Sequence, residues 1–124
     1  MVKPGYTGFK RLTKASQYSM KGLSAAWRFE SAFRQECSVG LILVPLAFWV
    51  GETAEQTVLL IGVCAIVLIT ELLNSAIEAV VDRVGTERHD LAGRAKDMGS
   101  AAVAISLMLV LVTWALLAWS RFIG

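Results

Sequence analysis

Hydrophobic and polar residues fall along this chain in blocks. From Gly8 to Trp27 apolar positions recur at helical spacing, as Phe9, Leu12, Ala15, Tyr18, Leu23, Ala26 and Trp27, with Lys10, Arg11, Lys14 and Lys21 set between them. That pattern predicts a basic amphipathic helix over about residues 8–27, able to lie in a membrane interface with its cations toward anionic headgroups. Three apolar stretches follow, over about residues 33–50, 57–81 and 99–122, each reaching or approaching the roughly 20 residues that cross a hydrocarbon core. The expectation is an all-α membrane protein: one domain over 1–124, built from an N-terminal amphipathic surface helix and three transmembrane helices.

The breaks between blocks refine this picture. Pro45 predicts a kink in the first span. Gly85 marks a turn after the second, and Asp90 is expected to cap a new helix that continues into the third. Gly99, Ser100, Ala101, Ala102 and Ala104 let another helix approach closely at the start of that span. Trp49, Trp114 and Trp119 lie near span ends and read as aromatic-belt anchors.

Composition agrees: 56% hydrophobic residues and a mean hydropathy of +0.59 are too apolar for a soluble domain of this size. Charge placement adds an orientation. Lys3, Lys10, Arg11, Lys14, Lys21, Arg28 and Arg34 precede residue 37 against Glu30 and Glu36, whereas the connection over 51–56 holds only Glu52 and Glu55. By the positive-inside rule the N-terminus is cytoplasmic, the segment 82–97 with Arg83, Arg88, Arg94 and Lys96 returns to the cytoplasm, and the C-terminus lies outside. The net charge of +2 reflects this asymmetry and gives no reason to expect nucleic acid as a partner. Cys37 and Cys64, without CxxC spacing, read as small buried hydrophobes.

The residues that need explaining are Glu71, Asn74 and Glu78, on one stripe of the second span. An acidic charge at a helix centre costs about 2.5 to 3.5 kcal/mol on insertion scales, so such acids usually face a bundle interior, a cavity or a site. The two carboxylates are roughly 10 Å apart along the axis, far enough for separate tasks. Three helices are too thin to shield this stripe on every side, which predicts a homo-oligomer. Near it the chain offers Glu30, Glu36 and Asp82, without His or Cys partners, a donor set suited to Mg2+ with a phosphorylated cosubstrate. Phosphoryl transfer also needs cations and a base. Glu30 and Glu78 can hold the metal, Lys96 and Arg11 can meet phosphates, and Glu71 can take a proton from a lipid hydroxyl. The sequence contains no P-loop and no glycine-rich kinase loop. Other readings of the same residues are interprotomer hydrogen bonding by Glu71 and Asn74, a solvated loop histidine at His89, and a small oligomeric transporter in which Glu71 carries protons.

The chain resembles the prokaryotic diacylglycerol kinases over nearly its whole length, most specifically in residues 32–36 (AFRQE), 71–83 (ELLNSAIEAVVDR) and 93–102 (GRAKDMGSAA). The resemblance implies a homotrimer in the bacterial inner membrane. It implies that ATP with Mg2+ phosphorylates the primary hydroxyl of diacylglycerol to give phosphatidic acid. On this resemblance Glu71 is the proton acceptor, supported by Asn74, and Glu30 and Glu78 are ligands of the metal held with ATP. ATP contacts are implied for Arg11, Tyr18, Glu30, Glu78, Glu87, Arg88, His89, Lys96 and Asp97. Lipid contacts are implied for Arg11, Ala15, Ser16, Ser19, Met20, Ala32, Phe33, Arg34, Gln35, Glu36, Trp49, Glu71, Ser100, Trp114 and Trp119. Met20 stands where the family commonly has tryptophan, Arg28 and Phe29 where it has uncharged residues, and Arg88 where it often has tyrosine. A related kinase of undecaprenol is the nearest alternative.

Overall fold

The computed structural model describes residues 5, 7–85, 87 and 89–124. Its elements are four helices in chain order: α1 (Gly8–Phe29), α2 (Ser31–Val50), α3 (Ala54–Val84) and α4 (Asp90–Phe122). The last three are long and apolar enough to cross a membrane. At about 1.5 Å per residue, the 20 residues of α2 match a hydrocarbon core of about 30 Å. The 31 residues of α3 and the 33 of α4 exceed it.

The break between α1 and α2 is a single residue. Glu30 is extended (φ −116°, ψ 104°) and serves as both the C-cap of α1 and the N-cap of α2. Neither glycine nor proline makes this break. Arg34 holds it from the next turn, donating from one guanidinium nitrogen to the carbonyls of Trp27 (2.7 Å) and Arg28 (3.3 Å). A helix end leaves its last carbonyls without intrahelical donors, and a cation there satisfies them and complements the dipole.

At the opposite end of α2 the chain reverses within three residues. Thr53 caps α3 by accepting from the Gln56 N–H (3.2 Å), while Gln56 Oε1 accepts from the Glu52 N–H (2.9 Å). The turn is tight enough to require glycine: a Cβ on Gly51 would overlap Thr57 Oγ1 and lie 2.9 Å from the Ala47 carbonyl oxygen. Helix α2 continues through Pro45.

The most extensive packing is between α3 and α4. Beside the α2–α3 turn, Ala47, Val50 and Leu60 form a buried core, flanked by Ile61, Trp114, Leu117 and Ala118. Trp114 is turned inward here, its indole N–H donating to the Leu60 carbonyl (3.2 Å). It therefore acts as a packing residue, whereas Trp49 and Trp119, about 60% exposed, suit an aromatic belt. Arg121 Nε donates to the Trp49 carbonyl (3.3 Å) and the Trp49 and Phe122 rings lie 5.0 Å apart, closing this end. Leu41, Ile42, Val58 and Leu111 are broadly exposed, as helix faces meant for lipid are.

Helix α4 begins earlier than the apolar run it carries. His89, not Asp90, is its N-cap, with Nδ1 accepting from the Leu91 N–H (3.1 Å). Capping needs an acceptor one residue before the first helical turn, and the imidazole supplies it.

Candidate active site

The polar stripe of α3 forms a chain of side chains. Three- and four-residue spacing brings Glu71, Asn74 and Glu78 onto one helix face. Asn74 Nδ2 donates to Glu78 Oε1 (2.9 Å) and, at the limit of a hydrogen bond, to Glu71 Oε2 (3.5 Å). Glu71 is only 6% exposed within a single chain, while Asn74 and Glu78 are half-buried. Within one chain, then, the first carboxylate of the stripe is buried while the other two polar residues keep partly open faces.

Two further carboxylates approach from other elements. Glu36 on α2 lies against Glu71. Glu30, at the α1–α2 break, accepts a hydrogen bond at Oε1 from the Ser75 hydroxyl of α3 (3.1 Å). Glu30 and Glu78 each have one oxygen engaged by a donor among the described residues. Among the described residues no group of three or more His, Cys, Asp or Glu side chains converges on a point. This donor set fits a Mg2+ ion held by one or two carboxylates and completed by phosphate oxygens and water.

Two buried acceptors have no donor among the described residues, Glu36 Oε1 and Asn74 Oδ1. An orphaned buried acceptor costs about 1 to 3 kcal/mol, so a ligand group or a proton is expected at the Glu36 carboxylate. Glu36 also stands at the polar end of a groove of about 170 Å³, whose walls include Val39, Leu43, Val67, Leu107 and Val110. Between α3 and α1, a wider cleft of about 710 Å³ is lined by Ser19, Leu23, Glu30, Leu72, Ser75 and Ala79.

The remaining predicted residues distribute as follows. On α1, Arg11, Ser16, Ser19 and Met20 are exposed, whereas Ala15 and Tyr18 are half-buried, and Lys21 Nζ sits 5.7 Å from the Tyr18 ring centroid. Phe33 is buried and Ala32 and Gln35 are exposed. Lys96 pairs with Asp82 across the α3–α4 end (Nζ–Oδ1 2.8 Å). Glu87, His89, Asp97 and Ser100 are exposed. Arg88 lies outside the described residues. The groups brought together are thus Glu30, Glu36, Glu71, Asn74 and Glu78, while Trp49 and Trp119 remain at the far end of the helices.

Sequence reasoning missed two contributors. Ser75 lies four residues after Glu71 and three before Glu78, so helical spacing alone could have placed it beside them. Gly99 faces Asn74 so closely that a Cβ there would overlap Asn74 Oδ1, and no periodicity shows which glycine meets which side chain.

Comparison with known proteins gives a consistent answer. The family model described as prokaryotic diacylglycerol kinase matches residues 17–118. The diacylglycerol kinase of Escherichia coli strain K12 is 56% identical over 116 residues, covering 94% of this chain and 95% of that protein. Those of Haemophilus influenzae and Pseudomonas aeruginosa are each 51% identical. The first alignment covers 87% of this chain and 92% of its relative, and the second covers 90% of both. With a match this long, spanning every polar residue of the α3 stripe, the chain belongs to the prokaryotic diacylglycerol kinase family.

Proposed function

We propose that this protein is a diacylglycerol kinase that transfers the γ-phosphoryl group of ATP to the primary hydroxyl of membrane diacylglycerol, with Glu71 as the general base. The observation that carries this reading is the Glu71 carboxylate, buried in an apolar helix, held by Asn74 and lying against Glu36 at the polar end of an apolar groove. A lipid hydroxyl entering there donates to Glu71, with an acyl chain along Val39, Leu43 and Val67. The hydroxyl oxygen attacks the γ-phosphorus, the bond from phosphorus to the ADP oxygen breaks, and the hydroxyl proton passes to Glu71. Mg2+, when bound with ATP, neutralises charge that develops on the phosphates. Glu30 and Glu78 would hold it. Lys96, freed from Asp82, and Arg11 face the phosphates, joined by Tyr18, Glu87, Arg88, His89 and Asp97.

The same reading makes the chain one domain of a homotrimer in the bacterial inner membrane. The N-terminus and the 82–97 segment are cytoplasmic, α1 lies on the membrane surface, and the C-terminus is outside. Support comes from membership of the family and from the distribution of cations.

The deciding experiment is transfer of labelled phosphate from ATP to diacylglycerol and, in parallel, to undecaprenol in mixed micelles, for wild type and Glu71→Gln. Labelled phosphatidic acid from wild type alone supports substrate and base together. Undecaprenyl phosphate as the main product transfers the protein to the rival kinase, and no label in either lipid overturns the kinase reading.

A further inference from the structure

Gly99 is one of two buried residues of α4. In a helix interior glycine is a poorer choice than alanine, so a buried one points to a close approach. A Cβ built on Gly99 would overlap Asn74 Oδ1 and lie 3.2 Å from Asn74 Cγ and 3.7 Å from its Cβ, so the nearest atoms all belong to this one side chain. The Asn74 amide has its Nδ2 toward the Glu71 and Glu78 carboxylates. Its oxygen must therefore point away from those anions, and it points at Gly99.

We infer that Gly99 is a positioning residue. Its bare backbone admits the Asn74 oxygen, and that fixes the amide with both N–H groups on the two carboxylates. The three atoms nearest a methyl group at 99 all belong to the Asn74 side chain and none is backbone, so the side chain yields before the helices do and Asn74 swings out of register. The inference rests on the reading of Asn74 as a support for Glu71 and Glu78, and it adds the residue that holds that support.

The test is a double-mutant cycle in detergent-purified protein, with Gly99→Ala, Asn74→Ala and the pair. Gly99→Ala is expected to lower kcat for phosphate transfer to diacylglycerol roughly 10- to 100-fold, the range for a lost hydrogen bond to a charged group. It should reproduce the kcat and KM pattern of Asn74→Ala, and the double variant should be no slower than Asn74→Ala. The melting midpoint gives an independent reading. Gly99→Ala should lower it in the wild-type background and leave it unchanged or higher in the Asn74→Ala background, where the overlap is gone. Losses that multiply, or a Gly99→Ala enzyme with wild-type kcat beside a slow Asn74→Ala enzyme, overturn the role of Gly99. Wild-type kcat in Asn74→Ala overturns the underlying reading of Asn74 and the inference with it. A Gly99→Ala protein that does not assemble, and is not recovered by Asn74→Ala, overturns it as well.

Discussion

The Ser75 hydroxyl donates to Glu30 Oε1 at 3.1 Å, joining residues 45 positions apart in the chain. It ties the break between α1 and α2 to the helix that carries Glu71, Asn74 and Glu78. The α1–α2 junction is thereby registered against the polar stripe, and Glu30 is turned toward it instead of capping its own helix, where it makes no side-chain bond.

Removing that hydroxyl should affect the metal before the chemistry. Ser75→Ala is expected to raise the Mg2+ concentration for half-maximal activity about 5- to 10-fold, as expected from the loss of one hydrogen bond worth about 1 kcal/mol or slightly more. Ser75→Thr should restore most of it. A Mg2+ titration of both variants at saturating ATP checks this, and an unchanged midpoint in Ser75→Ala counts against the role of Glu30.

The two carboxylates of the α3 stripe should separate by step. Glu71→Gln is expected to reduce phosphate transfer by about 10²- to 10⁴-fold, the usual range for loss of a general base, while nucleotide still binds. Glu78→Gln should weaken binding of ATP with Mg2+ as well. Nucleotide titration of each variant by calorimetry measures the difference, and equal affinities would argue against separate tasks.

Lys96 and Asp82 form an exposed ion pair, a type that stabilises by at most about 1 kcal/mol. Breaking it from either side should therefore shift the melting midpoint little and by similar amounts. Activity should not be symmetric, because in the proposed function Lys96 meets the phosphates and Asp82 does not. Parallel rate and melting measurements on Lys96→Met and Asp82→Asn test this, and equal rates would reduce Lys96 to a structural role.

Arg34 satisfies the terminal carbonyls of α1, so its loss should loosen the junction. Arg34→Gln is expected to cost about 0.5 to 1.5 kcal/mol, the net worth of an ordinary hydrogen bond, because water can reach these exposed carbonyls. Thermal denaturation in detergent should show a lower midpoint, with Arg34→Lys between it and wild type.

What the sequence made legible follows local rules. The apolar runs marked three helices because a membrane leaves little choice of structure, and the spacing of Glu71, Asn74 and Glu78 put them on one face. Gly85 was legible as the residue that follows α3. A break between about residues 27 and 33 was legible too, but not that Glu30 alone makes it, since glutamate favours helix and the residue is held by Arg34 and Ser75, from the next turn and from another helix. His89 as a cap and Trp114 as a packing residue were hidden for the same reason: each is decided by a partner whose position depends on the fold. The burial of Glu71 within one chain was likewise invisible until α2 and α4 were packed on α3.

The unbroken course of α4 has one more consequence. A helix of 33 residues is about 50 Å long, and its first turns carry Lys96 and Asp97 while its last carry Trp119 and Arg121. Lys96 and Asp97 near one end and Trp119 and Arg121 near the other are thus parts of one stiff rod. Membranes of different thickness change the tilt of such a rod. Lipid composition therefore acts on this protein in two ways, as the source of its substrate and as the support that sets the height of the end that carries Lys96 and Asp97.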